Sequence, residues 1–562
     1  MSAVAERVSE LEDFRLWANE LRNDRIAQRA ERPWIRLWDG DWNYRGQCAS
    51  ELSGDFQWKS LETGSGSLKL PIDLDDERGT FLAFWILEEE ERGTRNVHIT
   101  VDKNGARWGG RQRKAKLHRD PKGDYVEVTF AHDYEELKNV HIAPNPFLPL
   151  GLIQVPKIFM LFCRTKYGSA LSLFLNLLRL QFTNIDIGTD PLNPATWGGI
   201  DFWDWQIVVK PQSLADDVSP FTFFNGKMKS WHDMCAAKLE DAEITPVLRR
   251  YLTGDPPPWE GAPELRNGTL VVDFVDNSGF RSGTSIGGNL ATGLARTIAG
   301  LTDNAAEDSY DLLTGEIIPD SRYRVANVLC TYPENPYVIY RDGDITGIEV
   351  SDFERTASGP ARITAGGQSM PGVNEIISAA VNYAGDVVGD NISFQGYGIG
   401  SLGSTIDSFA NPIYKDCVLP WTSIPLPLRA AEDGWGHYLE TIASGTSQAY
   451  TPTVFVEIRK RRRETDPDTS CTLTVSDAAP WLIGDEGEGH WFLDSRVGFT
   501  NKYLGARVWV KRAREISLAW SDTSPVEWQG KLADSRPKLD GLDRGLSLLQ
   551  DVMGSLQDAG VM

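Results

Sequence analysis

The sharpest chemical motif in the chain is Gly283-Thr284-Ser285-Ile286-Gly287, a Gly-x-Ser-x-Gly string of the kind that presents a nucleophilic serine. That chemistry needs a strand running straight into the turn and a helix leaving it, so that the hydroxyl sits on a strained bend. Here the strand-like stretch 269–275 is separated from Gly283 by the polar residues 276–282, and Gly279, Gly288 and Gly293 surround the motif. A glycine-rich loop accounts for it better than a nucleophile. Its base would have to be His437 or His490, yet His98, His118, His132, His141, His232, His437 and His490 all stand singly, with no HxH or HExxH spacing. Asp273 and Asp276, three apart on a strand, point to opposite faces and do not make an acid/base pair.

Two acidic runs, residues 88–91 and Asp485-Glu486-Gly487-Glu488, lack calcium-loop spacing and read as solvated turns. The one strong basic run, Arg459-Lys460-Arg461-Arg462-Arg463, is followed by Glu464, Asp466 and Asp468. It could grip phosphate or an acidic surface, but a solvated hairpin end is the simpler account. Trp203 and Trp205 fall on one face of a strand-like stretch and could stack on sugar rings, although core packing is the better account. No catalytic, cofactor-binding or metal-binding residue is assigned, and the chain is expected not to be an enzyme.

The elements that would carry these residues are set by a chain of 562 residues, long enough for three to four domains at about 150 residues each. With 57 Lys and Arg against 79 Asp and Glu, the formal charge is −22, which disfavours general nucleic-acid binding. Six cysteines (Cys48, Cys163, Cys235, Cys330, Cys417 and Cys471) show no CxxC pairing, so free thiols and synthesis in a reducing cytoplasm are expected. No secretory leader is expected in residues 1–30, and no run reaches the ~18–20 apolar residues of a spanning helix.

Apolar residues near helical spacing predict an amphipathic helix over 1–33 that Pro33 stops. Turn dipeptides at Asp39-Gly40 and Asn104-Gly105, and the turn Asp120-Pro121-Lys122-Gly123, divide 34–140 into hairpins of a first β domain. Residues 141–260 form an insertion, with an apolar run through 158–180, an aromatic stretch and the boundary Asp255-Pro256-Pro257-Pro258. A mixed β-rich domain over 261–440, with a short helix at 371–385, precedes a second β domain at 441–530. In 531–562, Leu539, Leu542, Leu546, Leu549, Met553 and Leu556 recur at steps of three and four and predict a heptad helix.

Longer strings carry a resemblance. The opening MSAVAERV, RPWIRLWDGDWNYRG at 32–46, HITVDKNGARWGG at 98–110 and GTLVVDFVDNSGFRSGTSIGGN at 268–289 belong to it, as do GGQSMPGVNEIISAAV at 366–381, GSTIDSFANPIYKDCVLPW at 403–421, DSRVGFT and GARVWVKR. On these the chain resembles the minor tail proteins of mycobacterium-infecting siphophages, of the tail-hub type. The resemblance implies an α+β, β-rich multidomain virion protein at the distal tail tip (baseplate). Tube-like β-barrel or sandwich domains would be joined by an apolar helical insertion and flanked by the N-terminal and heptad helices. It implies a homotrimer in which each chain gives two tube-like domains to a pseudo-sixfold ring, taken as the units at 34–140 and 441–530. The distal tail protein, the tape-measure protein and other minor tail proteins are the expected partners, with host envelope contact at attachment. DNA would pass through the channel during genome ejection without being held, past an acidic wall, and the apolar run would be buried between subunits or against such partners. The alternatives are a glycan-binding tail protein using Trp203 and Trp205, and a cell-wall hydrolase using Ser285.

Overall fold

The computed structural model describes residues 31–278 and 338–533 except 73–76, 122, 148–149, 151–153, 182–201, 343–347, 367–392, 395–396, 399–420, 444–457, 459–460, 463, 476–480 and 505–506. It also describes 14–17, 19–20, 23–24, 27, 309–311 and 316–318. The serine motif at 283–287, the helix expected at 371–385 and the heptad seam at 539–556 lie outside the described residues. The chain divides into two compact units, Met1–Glu354 with Thr469–Pro537 and Ser555–Met562, and Arg355–Asp468 with Lys538–Gly554.

In the larger unit, short runs of alternating apolar and polar residues broken by turns form seven strands. They are β1 (Trp34–Asp39), β2 (Tyr44–Cys48), β3 (Ser53–Lys59), β4 (Ser65–Ile72), β5 (Val97–Lys103), β6 (Ala106–Asp120) and β7 (Gly123–His132). Asn104 and Gly105 take φ of 50° and 71°, the left-handed pair that fits a two-residue turn to strand twist, and they close the β5–β6 hairpin. The helix Glu77–Leu87 buries Leu82, Ala83 and Ile86 in the same core. Phe14–Trp17 and the other described residues of 19–27 are helical, as expected near the N-terminus.

An insertion follows, built from β8 (Phe159–Arg164), β9 (Ile207–Val209), β10 (Phe221–Gly226), β11 (Ile244–Arg250) and β12 (Leu270–Asp276) with the helices Thr165–Gln181 and Trp231–Ala242. The apolar run is therefore one strand and one helix. Tyr167, Ala170, Leu173, Phe174, Leu177 and Leu178 are buried in a core of this same chain, against Trp205, Trp231 and Phe274. That corrects the expectation of burial between subunits for the helix, most of whose apolar residues are already covered, Leu180 excepted. Ser230 caps the second helix by accepting the Asp233 N–H at 3.0 Å.

The chain then adds β13 (Ser309–Asp311), β14 (Glu316–Ile318), β15 (Ile339–Tyr340) and β16 (Ile348–Thr356). The smaller unit holds β17 (Arg362–Gly366), β18 (Ser393–Phe394), β19 (Tyr397–Gly398), β20 (Trp421–Pro425), β21 (Thr441–Ile442) and the helix Pro427–Asp433, around Ile363, Ala365, Ala443 and Ile458. The last strands, β22 (Asp468–Val475), β23 (Arg496–Thr500), β24 (Arg507–Ser521) and β25 (Glu527–Ala533), return to the larger unit.

Early and late strands share one sheet, in the order β16-β22-β25-β24-β3-β4-β7-β6-β5-β1-β2. Two antiparallel meanders in it match. In β5-β6-β7 and in β23-β24-β25 the middle strand is 15 residues long and shifts register near its centre, between Gln112 and Lys114 and between Ala513 and Glu515. Aligning the two bulges pairs Arg113 with Arg514, and with them Trp108 with Trp509, Arg111 with Arg512 and Leu117 with Leu518. The surroundings repeat as well. Phe56 of β3 packs on Trp108 at 5.0 Å and Phe353 of β16 packs on Trp509 at 5.8 Å, each following an aspartate, Asp55 or Asp352. Arg113 pairs with Glu135 of one helix, and Arg514 with Glu240 of another.

The sheet is thus two related halves, β3-β4-β7-β6 and β16-β22-β25-β24. They join where the second half of β24 runs antiparallel to β3, from Glu515 opposite Lys59 to Ser521 opposite Ser53. Phe56, Trp58, Leu518 and Trp520 are buried along this seam. At about 1.5–3 kcal/mol for each large apolar side chain removed from water, the seam binds the halves into one folded body.

Candidate functional site

One face of the sheet is apolar and covered; the other is polar and presents the chain's accessible chemistry. Alternation fixes which residues share it: Asp55, Gln57 and Lys59 on β3, Ser67 and Lys69 on β4, and Glu127 and Thr129 on β7. By register, Lys114 and Lys116 of β6 stand opposite Thr129 and Glu127, and Glu515 and Ser517 of β24 opposite Lys59 and Gln57. Lys59 reaches Glu515 at 3.8 Å across the seam. Burial pushes the Asp55 carboxyl above its ordinary value, helped by the neighbouring Glu515. Carboxylates and lysines are close to balance on this face, so the net acidity of the chain is not concentrated there. Such a surface neither repels phosphate strongly nor releases counterions by gripping it.

Beneath the sheet, buried ionic ties fasten it to the insertion. Asp133 follows β7, and its carboxylate is held by a two-pronged bond from Arg250 at the end of β11, at 2.6 and 2.9 Å. Both are almost fully buried, and Arg250 holds the Asp133 carboxyl below the usual range against the opposing effect of burial. Arg250 also donates to the Gly268 carbonyl and lies over the Trp42 ring. A Cβ at Gly109 would sit 2.1 Å from the Asp133 carboxylate, so a glycine is required where that carboxylate approaches the sheet. Farther along, Asp494 accepts from Ser60 at 2.8 Å and Thr245 at 2.7 Å and pairs with Arg512 at 3.1 Å. Arg496 donates to Glu243 at 2.8 Å. Each of these buried charges thus lies beside one of opposite sign, which offsets part of the cost of burying it.

Residues chosen from the sequence are scattered. Trp203 lies within a single 3-10 turn, Phe202–Asp204, and Trp205 follows it, so the two do not share a strand face. Trp205 is 2% exposed, packed in the core on Phe174 and Phe202, while Trp203 is 43% exposed, so the alternative of a paired platform does not form. Asp273 is bound by Lys210 and Gln212, and Asp276 by Ser278. Asp485–Glu488 is a turn, with Glu486 and Gly487 at positive φ. In the basic run, Arg461 and Arg462 are helical with Ile458 and Glu464, which corrects the hairpin-end reading, and Arg461 pairs with Glu464 at 3.1 Å. His490 accepts the Leu482 N–H through Nδ1, and His437 contacts the Gly434 carbonyl. Among the described residues, Cys48, Cys163, Cys235 and Cys471 are free thiols, and no cluster of three metal-ligating side chains occurs. No helix among them is long and apolar enough to cross a membrane.

A cleft lined by Trp58, His132, Tyr134, Asp485, His490 and Trp491 has a volume of about 250 Å³. That is below the ~300–1,000 Å³ usual for a small-molecule site. The ties at Asp133, Arg250 and Asp494 escaped the sequence reading because nothing in their local spacing distinguishes them from surface charges. The polar sheet face, with its edges, is the feature the architecture builds.

Two proteins match over the full chain: Minor tail protein Gp28 of Mycobacterium phage L5, 32% identical over 602 residues, and Minor tail protein Gp28 of Mycobacterium phage D29, 31% identical over 605 residues. In each case 99% of this chain and 99% of the relative are covered. Among solved structures, a tail protein from Neisseria meningitidis MC58 aligns at TM-score 0.39 and 10% identity, over 92% of this chain and 99% of its own. The 43 kDa tail protein of prophage MuSo2 from Shewanella oneidensis aligns at TM-score 0.38 and 11% identity, over 89% and 98%. The resemblance to mycobacteriophage minor tail proteins read from the sequence strings thus extends along the whole chain. Residues 34–531 match the Siphovirus ReqiPepy6 Gp37-like proteins, and the chain belongs to that family.

Proposed function

We propose that the protein is a structural component of the phage tail, a hub at the distal tip that joins the tail tube to the tip and forms part of the wall through which the genome leaves. The observation that carries this reading is the pair of related half-sheets set side by side in one antiparallel sheet. A repeated unit of that kind lets a few copies of one chain supply twice as many wall segments. Three copies would then present six, matching a sixfold tube, and the polar face would line the channel. Its balanced charge suits a wall that DNA slides past, because it offers little counterion release on contact. On this reading the wall would be near-neutral, where net charge alone suggests an acidic one. The distal tail protein, the tape-measure protein and other minor tail proteins are the neighbours this position requires. The mechanism is a change of packing between subunits on host contact, with no bond chemistry.

Gold-labelled antibody on intact virions tests the position. Label confined to the tail tip is expected, in a ring of three copies by class averaging. Label along the tube or on the capsid would refute the hub.

A further inference from the structure

The two halves of the sheet differ in one respect: the second half of β24 is covered by β3, whereas the second half of β6 has no strand beside it among the described residues. β5 covers β6 only as far as Arg111. The consequence shows at the repeated leucines. Leu518 is 0% exposed against β3, and its counterpart Leu117 is 59% exposed. At the far end of the sheet β16, the counterpart of β3, pairs with β22 and has no second strand beside it among the described residues. Among the described residues two edges are therefore uncovered, the second half of β6 and the outer side of β16, each being one side of a seam already built in the middle of the sheet.

We infer that copies of this chain join edge to edge, the second half of β6 in one copy pairing antiparallel with β16 of the next by the same rule that pairs β24 with β3. The repeat fixes the register. Glu515 opposite Lys59 and Leu518 opposite Phe56 in the internal seam become Lys114 opposite Thr356 and Leu117 opposite Phe353 between copies. Two more pairs follow, Lys116 opposite Glu354 and His118 opposite Asp352. On the polar face the free edge of β6 carries Lys114 and Lys116 and that of β16 carries Asp352 and Glu354, while Arg119 and Arg355 fall on the opposite face. Charged edges ordinarily deter strand addition. Opposite signs on the two edges deter β6 from β6 and β16 from β16 while favouring β6 with β16, because directly opposed unlike charges stabilise a cross-strand pair and like charges oppose it. The contact is head to tail, so repetition gives a ring if the rotation closes. Closure after three copies rests on the hub reading above; the pairing of the edges does not.

Cysteine trapping in the otherwise intact full-length chain tests the register. His118→Cys and Asp352→Cys in one chain, oxidised briefly at micromolar concentration and run on a non-reducing gel, should give a ladder of dimers, trimers and closed rings. Either single variant should remain at the level of the parent. A double variant that gives no more than the parent overturns the pairing, as does equal cross-linking by a single variant. Charge exchange supplies a second measurement: Lys116→Glu should weaken self-association several-fold in sedimentation, and Lys116→Glu with Glu354→Lys should restore it. Failure of that restoration also counts against the inference. A ladder from a protein absent from the tail tip would uphold the edge pairing and refute the hub, whereas tip labelling without a ladder would do the reverse.

Discussion

Lowering the pH from 7 to 5 should weaken the larger unit by about 4 kcal/mol through two imidazoles buried in their neutral form. His98 on β5 stacks on Trp42 at 4.6 Å, and burial, with Arg250 nearby, pushes its pKa down to about 3. His132 at the end of β7 accepts the Tyr134 N–H through Nδ1 at 3.2 Å, and burial pushes its pKa down to about 4, with Asp133 opposing the shift and Arg250 adding to it. Both folded values lie below the ordinary histidine value of 6.5, so as pH falls the unfolded chain takes up these protons first. The stability they supply is fully present above about 6.5 and declines from there toward their folded values. At pH 5 each site is about 1.5 units below the unfolded value, which at 1.36 kcal/mol per unit is about 2 kcal/mol per histidine. Asp133, whose pKa is itself held below the usual carboxylate range, does not enter this window. Urea unfolding followed by tryptophan fluorescence at pH 7, 6 and 5 measures the decline. The variant His98→Phe with His132→Asn, which keeps the stacked ring and an acceptor for Tyr134, should lose far less over the same range. Equal loss in parent and variant would refute the reasoning, because the net charge of −22 also changes with pH and would then explain the whole effect.

Arg250→Ala should cost about 3–5 kcal/mol in the same unfolding assay, since it leaves the Asp133 carboxylate buried without its partner; combining it with Asp133→Leu should recover part of that loss. Gly54→Ala should destabilise by about 1–3 kcal/mol, because the added Cβ would lie 2.3 Å from the Trp520 ring, and a smaller side chain at 520 should relieve it. Trp205→Ala should cost about 3–5 kcal/mol in thermal or chemical unfolding, while Trp203→Ala should stay within about 0.5 kcal/mol. In cell-wall zymography the parent protein should give no clearing; clearing that Ser285→Ala abolishes would establish the hydrolase instead.

Local chemistry was legible wherever one short segment determines its own conformation. Asn104-Gly105 predicts a hairpin because few other residue pairs accept two consecutive left-handed conformations, and β5 and β6 meet there. Asp120-Pro121-Lys122-Gly123 sets the next turn for a related reason, with Gly123 at φ 137°. Trp203 and Trp205 show where this logic stops: alternate spacing puts two side chains on one face only if the backbone is extended, and here it turns. The apolar run at 158–180 was legible as buried, but not as buried by Trp205, Trp231 and Phe274 of the same chain, since periodicity reports a face and not its neighbour.

The repeat was illegible for a different reason. Its two copies of the long strand lie 401 positions apart and share Trp108 with Trp509, Arg111 with Arg512, Arg113 with Arg514 and Leu117 with Leu518, too few matches for a periodic signal. What is conserved between them is geometric: a 15-residue strand, a bulge at its eighth residue, and an aromatic from the outer strand packed on its tryptophan. Many sequences satisfy those conditions, so the two copies are free to diverge at every other position. They diverge most usefully at the edges, where Lys116 has Ser517 as its counterpart and Glu354 has Gln57. Inside one chain the seam is enforced by connectivity and needs little electrostatic selection. Between chains the partner must be chosen from solution, and the charges that distinguish the two half-sheets stand where that choice would be made.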